Sequence, residues 1–216
     1  MLSEDTDGKN IAGQWKFDMH VHSTYSDDSV NDPAIIVKNF QKHGILPLVC
    51  DHDCIDGSIE LYRRIRNIDP NVPKILAEEI TTCEGEIIGL FLTDLVPANL
   101  EAAETLEIIH EQGGLALVPH PFCRFRTSSV LRHETLDKEI SNIDIIEGVN
   151  GRNTREDNFI AIHFATKNTK PISMGSDAHH PWELGRYWLE LEPFYTPEEL
   201  MRSLSADTIQ FHIIDR

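Results

Sequence analysis

Residues 15–23 have the sequence WKFDMHVHS, and this short β-rich run determines how the rest of the chain is interpreted. His20 and His22 alternate with the apolar residues Met19 and Val21. Successive side chains of a strand point to opposite faces, so a strand here would place both imidazoles on one side, close enough to bind the same cation. The pattern therefore predicts a strand that delivers a pair of metal ligands.

Short β-rich runs alternate with longer helical runs along the rest of the chain. Residues 31–44 are typical of a helix, because Asp32 precedes Pro33 at its start and Gly44 follows as a stop. Further helices are predicted at 99–114, 157–168 and 196–206, and further strands at 45–53, 74–82, 86–93, 115–121, 143–151, 171–179 and 208–214. This alternation predicts an α/β fold with a largely parallel sheet and enough strands to close a barrel.

Composition and charge restrict the possible functions. The chain has 216 residues, of which 40% are hydrophobic, enough for one core, so we expect one domain over residues 13–216 after a flexible arm at 1–12. The acidic first residues and the absence of a long apolar run predict a cytoplasmic protein without membrane contact. A formal charge of −17 argues against binding along a long nucleic-acid duplex.

Side chains with metal-binding chemistry occur at the downstream ends of the predicted strands, where the loops of a parallel barrel converge. They are His20, His22, Asp27, His52, Glu78, Glu79, Glu86, His120, Asp177 and His179. Independent structural uses would not concentrate so many of these residues at separate strand ends. Imidazole nitrogen combined with carboxylate oxygen favours zinc, manganese or iron over calcium or magnesium.

Five motifs in order carry a resemblance to a known family. They are DMHVHSTYSDDS (18–29), VCDHDCIDG (49–57), ILAEEITT (75–82), LVPHPF (117–122) and MGSDAHHPWELG (174–185). From about Phe17 to Trp188 the chain resembles the polymerase and histidinol phosphatase (PHP) family of metal-dependent phosphoesterases. The resemblance implies a distorted (β/α)7 TIM-like barrel with two or three divalent metal ions in a groove at the strand ends.

The resemblance also implies a set of metal ligands. The first metal would take His20, His22, Glu79 and Asp177, with Glu79 bridging to a second metal that also takes Glu86 and His120. The third would take Asp27, His52 and His179. Two positions depart from the family pattern. Glu86 stands where a histidine is common, and the usual SDG triplet is Ser26, Asp27 and Asp28, so either aspartate is a candidate ligand, with the position favouring Asp27.

Such metals would activate a bridging hydroxide as the nucleophile and neutralise phosphate oxygens. The leaving group could then be protonated by a metal-bound water, by His180 or by a carboxylate such as Asp53. Arginines just past two strand ends are candidate phosphate contacts. They are Arg124, Arg126, Arg152 and Arg155, and Glu147 and Asn150 are expected on the same rim.

We therefore expect a phosphoesterase that hydrolyses a phosphomonoester or phosphodiester. The expected substrate is a small phosphorylated metabolite, a nucleotide or the end of a short single-stranded nucleic acid. Two alternatives remain open. Metal-bound hydroxide can also hydrolyse a carbon–nitrogen bond on a similar barrel, as in amidohydrolases. The domain could instead be a metal-binding module without catalysis, although the ligand set is nearly complete.

Overall fold

The computed structural model describes residues 13–214, so the arm expected over residues 1–12 lies outside the described residues. The strands are β1 (Trp15–Val21), β2 (Ile45–Val49), β3 (Ala77–Thr82), β4 (Gly85–Leu90), β5 (Leu115–Val118), β6 (Ile145–Asn150), β7 (Ile172–Gly175), β8 (Tyr187–Leu191) and β9 (Gln210–Ile213). The helices are α1 (Pro33–His43), α2 (Asp56–Arg66), α3 (Ala102–Glu111), α4 (His133–Glu139), α5 (Arg155–Lys167) and α6 (Pro197–Leu204).

Capping residues set the ends of two predicted helices. The side chain of Asp32 accepts a hydrogen bond from the Ala34 N–H at the start of α1, and Gly44 ends that helix in the left-handed conformation with φ of 65°. Thr196 caps α6 by accepting from the Glu199 N–H. Both helices are confirmed where the sequence predicted them.

Two helices and one strand were not predicted from the sequence: α2, α4 and β8. Neither helix begins with a side chain that caps it, since Ile55 precedes α2 and Arg132 precedes α4, and neither side chain makes a capping hydrogen bond. Helix α4 has only 7 residues. The usual N-capping side chain is therefore missing from both segments.

The expected distorted (β/α)7 barrel is wrong. Across residues 13–214 the strands form two mixed sheets, in the orders β2-β1-β8-β9 and β3-β4-β5-β6-β7, and they do not close into a barrel. Strand β4 is antiparallel to both of its neighbours, whereas β5, β6 and β7 run parallel. Isolated parallel bridges between Val21 and Ala178, and between His52 and Glu79, bring the two sheets together at the strand ends.

The antiparallel pair β3–β4 explains the departure from a repeated βα pattern. Only Cys83 and Glu84 separate the two strands, and a parallel crossover needs a dozen or more residues. Gly85 closes the turn with φ of 131°, a backbone conformation that residues with a Cβ rarely adopt. The hairpin also places Glu86 opposite Thr81, beside the downstream end of β3.

The apolar side chains of the first strand form part of the main core. Phe17 and Met19 are buried against residues of β2 and β4, including Leu48 and Ile88. Strands β2 and β8 hold β1 on both sides, the Val21–Ala178 bridge joins its end to the second sheet, and His20 and His22 are fully buried there. Among the described residues, no helix combines the length and apolar character needed to cross a membrane.

Candidate metal centre

Six side chains on or just after five strands meet in one buried group, which we call the inner cluster. Glu79 lies within β3 and Glu86 near the start of β4, whereas the others lie at or just beyond the ends of β1, β5 and β7. All are buried. The members of the inner cluster are His20, His22, Glu79, Glu86, His120 and Asp177.

Four of these residues place ligand atoms around one point. The His20 and His22 Nε2 atoms lie 3.0 Å apart, and they lie 3.3 Å and 3.1 Å from Glu79 Oε2. Asp177 Oδ1 is 3.7 Å from His20 Nε2 and 3.5 Å from His22 Nε2. Ligands about 2.1 Å from a tetrahedral cation are separated by about 3.4 Å, so the spacing fits a single divalent ion.

Hydrogen bonds behind two histidines fix which nitrogen faces this point. His20 Nδ1 lies 3.0 Å from Glu147 Oε1, and His22 Nδ1 lies 3.2 Å from Ser26 Oγ. Because Ser26 Oγ donates to Asp51, it accepts from His22, just as the Glu147 carboxylate accepts from His20. Both Nδ1 atoms therefore carry protons, and both Nε2 lone pairs are aimed inward, as in most histidine–metal sites.

Glu79 connects the first group to a second one. Its Oε2 faces His20 and His22, whereas its Oε1 lies 3.1 Å from His120 Nε2. Glu86 Oε2 lies 3.6 Å from the same His120 nitrogen. One carboxylate thus offers an oxygen to each of two neighbouring ligand groups, which is the geometry of a bridging ligand.

Unsatisfied atoms show that the inner cluster suits a cation. Within residues 13–214, Glu86 Oε2 and Asp177 Oδ1 are buried atoms without a hydrogen-bond partner. A buried polar atom without a partner costs about 1–3 kcal/mol, and more if it is charged. The facing Nε2 lone pairs of His20 and His22 also need a proton or a metal between them. Divalent ions bound at the inner cluster would satisfy these atoms.

The pKa values show how much negative charge the inner cluster concentrates. Burial alone would lower the pKa of His22, but hydrogen bonds to Asp177 and Glu79 raise it to about 9. Burial and the charge of Glu79 raise the pKa of Glu86 to about 9. Without a cation these groups therefore hold protons at neutral pH, and a bound metal would displace those protons.

Two members of the inner cluster occupy strained backbone conformations. His120 has φ of 33° and Asp177 has φ of 54°. A residue with a side chain rarely adopts positive φ, and such strain is concentrated at functional sites. Gly175, two residues before Asp177, lies so close to His20 that an added Cβ would overlap the His20 side chain.

A second group, which we call the outer cluster, lies beside the first and is partly open to solvent. Its members are Asp28, His52 and His179. The His179 and His52 Nε2 atoms lie 3.1 Å and 3.7 Å from Asp28 Oδ2, and the Asp28 side chain is 55% exposed. Burial and the charge of His22 lower the pKa of His179 to about 4, so its imidazole is neutral and able to bind a metal.

Of the two candidate aspartates, Asp28 approaches the histidines. The side chain of Asp27 is exposed, and among the described residues it takes part in none of the contacts of the outer cluster. The sequence position alone favoured Asp27.

The four arginines separate into different roles. Arg126 reaches into the site, where its guanidinium donates to Asp177 Oδ2. Arg124 instead donates to Asp157 Oδ1 at 2.7 Å, near the start of α5, and its side chain is mostly exposed. The Arg152 Nε lies 3.7 Å from Glu183 Oε1. Arg155 is exposed as the first residue of α5.

The remaining predicted site residues lie around the clusters. Glu147 is buried, and its Oε2 accepts hydrogen bonds from the His120 N–H and from Asn150 Nδ2, so both rim residues support the inner cluster. Asp53 is exposed, and its Oδ1 accepts from the Thr81 N–H at 2.7 Å. His180 directly follows the outer cluster, and its ring stacks on Trp182.

Sequence reasoning gave no role to Asp51 or Ser26, although both position ligands. Asp51 is fully buried and accepts from the Ser23 N–H and from the hydroxyls of Ser23 and Ser26. Ser26 also accepts from the His52 N–H. The signal was present in the DHD motif, where an aspartate directly precedes His52.

Comparison with protein families and curated proteins identifies several relatives. Residues 155–209 match a family model described as PHP-associated. The uncharacterised protein MJ0417 of Methanocaldococcus jannaschii is 32% identical over 203 residues, which cover 89% of this chain and 80% of that protein. A second uncharacterised protein of the same organism, MJ1587, is 41% identical over 118 residues, covering 50% of this chain and 68% of that protein.

Solved structures share the fold at low sequence identity. A two-domain Bacteroides vulgatus protein containing a predicted PHP-like metal-dependent phosphoesterase aligns with a TM-score of 0.72 and 16% identity, over 95% of this chain and 67% of that chain. The lesion-specific endonuclease PfuEndoQ of Pyrococcus furiosus aligns with a TM-score of 0.58 and 19% identity, over 92% of this chain and 57% of that chain. An amidohydrolase of Chromobacterium violaceum aligns with a TM-score of 0.64 and 16% identity, over 90% of this chain and 97% of that chain.

Proposed function

The chain belongs to the PHP family, and we propose that it is a metal-dependent phosphoesterase that hydrolyses a phosphomonoester or phosphodiester. One observation carries the proposal. Histidine and carboxylate side chains from separate strands place their ligand atoms 3.0–3.7 Å apart, and an arginine side chain enters the same site. Cations and a guanidinium together match the charge of a phosphate ester.

We assign the metal ligands by position. His20, His22, Glu79 and Asp177 would hold one cation. A second would take Glu79, Glu86 and His120. A third would take Asp28, His52 and His179 in the more open outer cluster. Divalent cations in such sites supply Lewis acidity and lower the pKa of the water that they bind. Zinc, manganese and iron suit this mixture of ligands.

Arg126 is the residue that we assign to the phosphate. Its guanidinium donates to Asp177 Oδ2. The other carboxylate oxygen, Oδ1, faces His20 and His22. The guanidinium can therefore keep its contact with Oδ2 and offer its remaining donors to a phosphate oxygen. Arg124 and Arg152 lie next to protein carboxylates, so we give them a structural role at the rim.

For protonation of the leaving group we favour His180 over Asp53. The Asp53 carboxylate accepts a hydrogen bond from the Thr81 N–H, so its position is fixed by the β3–β4 hairpin. His180 Nδ1 is a buried atom without a hydrogen-bond partner among the described residues, and the residue adjoins the outer cluster. Histidine is the side chain that most often serves as a general acid in enzymes.

Metal analysis combined with a substrate screen tests the proposal. The purified protein is stripped with a chelator, reloaded with zinc, manganese or iron, and assayed for phosphate release from nucleotides, sugar phosphates and short oligonucleotides. We expect metal-dependent release. Equal turnover of phosphate esters and neutral amides would favour the alternative carbon–nitrogen hydrolase, and bound metal without any turnover would favour a non-catalytic module.

A further inference from the structure

Three large aromatic side chains remain exposed on loops that lead into the site. The exposed fractions of the Tyr25, Phe125 and Trp182 side chains are 44%, 78% and 68%. The three loops follow β1, β5 and β7, which are three of the five strands that deliver ligands of the inner cluster. Exposed aromatic side chains on loops that also carry residues of a site are candidates for contact with a substrate.

Sequence spacing keeps each aromatic near a residue of the site. Tyr25 is three residues from both His22 and Asp28, and Trp182 is three residues from His179. Three residues span at most about 11 Å. Phe125 directly precedes Arg126, whose side chain contacts Asp177.

Backbone contacts bring two of the loops together. The Val30 N–H donates to the His179 carbonyl at 2.9 Å, and the Ser29 hydroxyl donates to the same carbonyl at 3.2 Å. The loop that carries Tyr25 therefore packs against the start of the loop that carries Trp182. The Trp182 ring also stacks on His180, with the ring centres 4.4 Å apart and the planes within 8°. This stacking supports the indole while most of it remains exposed.

We propose that Tyr25, Phe125 and Trp182 form a stacking platform for a nucleobase, so that the substrate is a nucleoside phosphate or the terminal nucleotide of a short oligonucleotide. The inference rests on the proposed phosphoesterase function and specifies its substrate. Bases stack on exposed aromatic rings without regard to sequence. The same loops carry Asp28, Arg126 and His179, so the phosphate attached to a stacked base would meet Arg126 and the candidate metal ligands.

Charge limits the length of nucleic acid that fits. Long single strands bind along positively charged grooves, but this chain has a formal charge of −17, and Arg124 and Arg152 lie beside carboxylates. One or a few terminal nucleotides need only the platform and the phosphate site. The platform therefore fits a free nucleotide or a short end.

The test compares adenosine 5′-monophosphate with ribose 5-phosphate, which has the same sugar and phosphate but no base. For the metal-loaded wild type we expect kcat/KM to be at least about 5-fold higher for the nucleotide, mainly through a lower KM. Trp182→Ala and Phe125→Ala should each reduce that ratio of kcat/KM values. Phe159→Ala is the matched control, because Phe159 is 71% exposed on α5 and lies outside these loops.

A binding measurement separates this inference from the proposed function. Adenosine, which has no phosphate to release, is titrated while tryptophan fluorescence is followed; we expect quenching in the wild type and in Phe159→Ala that is lost in Trp182→Ala. Quenching without phosphate release from any ester would retain the platform and overturn the phosphoesterase. Phosphate release with equal kcat/KM for the nucleotide and ribose 5-phosphate would retain the phosphoesterase and overturn the platform.

A third substrate identifies the source of the base. A 5′-phosphorylated tri-adenylate offers two further bases to the other aromatic rings. If the KM of the tri-adenylate is below that of the mononucleotide, and if Phe125→Ala raises it, the substrate is an oligonucleotide end. A KM equal to or above that of the mononucleotide supports a free nucleotide. A KM that neither Phe125→Ala nor Trp182→Ala changes, for either substrate, contradicts the platform.

Discussion

The inner and outer clusters contain the same kinds of side chain but differ in their contact with water. His20 and His22 are completely buried, and their Nδ1 atoms are held by Glu147 and Ser26. In the outer cluster the Asp28 side chain is 55% exposed and that of His52 is 26% exposed. Water can satisfy the outer ligands when no metal is bound, whereas the inner ligands have unpaired atoms. The inner cluster is therefore pre-organised for a cation, and the outer cluster can lose one at lower cost.

The largest effect is expected where the ligands are most buried. Substitution of His20 by Ala removes a ligand of the first cation and the hydrogen bond that His20 Nδ1 makes to Glu147 Oε1. We expect at least about a 100-fold loss of phosphate release with an intact fold. The assay is combined with metal analysis and circular dichroism, and Phe159→Ala serves as the control. Normal activity in the folded His20→Ala protein would remove His20 from the ligand set.

The next effect separates two neighbouring arginines of one loop. Arg126→Gln removes the guanidinium that enters the site, so we expect kcat/KM to fall by about 10- to 150-fold, the equivalent of one charge-assisted hydrogen bond. Arg124→Gln is the matched control, because Arg124 donates to Asp157 outside the clusters. A similar loss in both variants would indicate that the loop, and not the Arg126 charge, supports activity.

Glu86 allows the second cation of the inner cluster to be tested alone. Glu86→Leu is expected to lower the bound metal by one ion per chain, whereas Glu86→His retains it, since imidazole nitrogen binds the same metals at a similar distance. Metal content after dialysis is the measurement. A full complement in Glu86→Leu would show that the side chain is not a ligand.

The pH dependence of metal binding follows from the raised pKa of Glu86. Burial and the charge of Glu79 raise that pKa to about 9, so the carboxyl is protonated at neutral pH when no cation is bound. A metal binds only the deprotonated form, and the affinity therefore increases as the pH rises towards 9 and then levels off. The slope of log affinity against pH gives the number of protons released when the metal binds, and in Glu86→Leu this number should be smaller by about one. Titrations between pH 6 and 10 measure this slope; an unchanged slope would contradict the assignment of that proton.

The smallest effect is expected in the outer cluster. Asp28→Asn weakens a site that water already reaches, so we expect a loss of phosphate release below about 10-fold, smaller than in His20→Ala. Asp27→Asn is the matched control, because the neighbouring side chain is exposed and makes no contact with His52 or His179 within the described residues. A larger loss of phosphate release for Asp27→Asn would show that Asp27, which the sequence position favoured, is the ligand.

The sequence was informative wherever a local rule determines the outcome. Alternation around His20 and His22 predicted the strand β1, and Asp32 and Gly44 predicted both ends of α1. The sheet order was different, because the pairing of β3 with β4 depends on a two-residue turn that the expected βα repeat did not include. A closed barrel was expected from the number of strands, whereas the described strands divide into two separate sheets.

Within the site, residue types were predicted more reliably than side-chain directions. The sequence placed Arg124 and Arg126 on one loop and Asp27 and Asp28 on another. In an irregular loop no periodicity indicates which of two near neighbours points inward. That choice depends on tertiary contacts, such as the Arg124–Asp157 pair and the approach of His179 to Asp28.

The most direct test of the account is reconstitution with Asp177→Asn beside the wild type. The substitution keeps the size and the Oδ1 position but removes the charge that the inner cluster needs. Both proteins are stripped, titrated with manganese or zinc, and followed for bound metal and phosphate release. We predict that wild-type activity appears only as metal binds, and that Asp177→Asn loses both metal affinity and activity. Phosphate release by the stripped wild type, or full metal binding and activity in Asp177→Asn, would contradict the account.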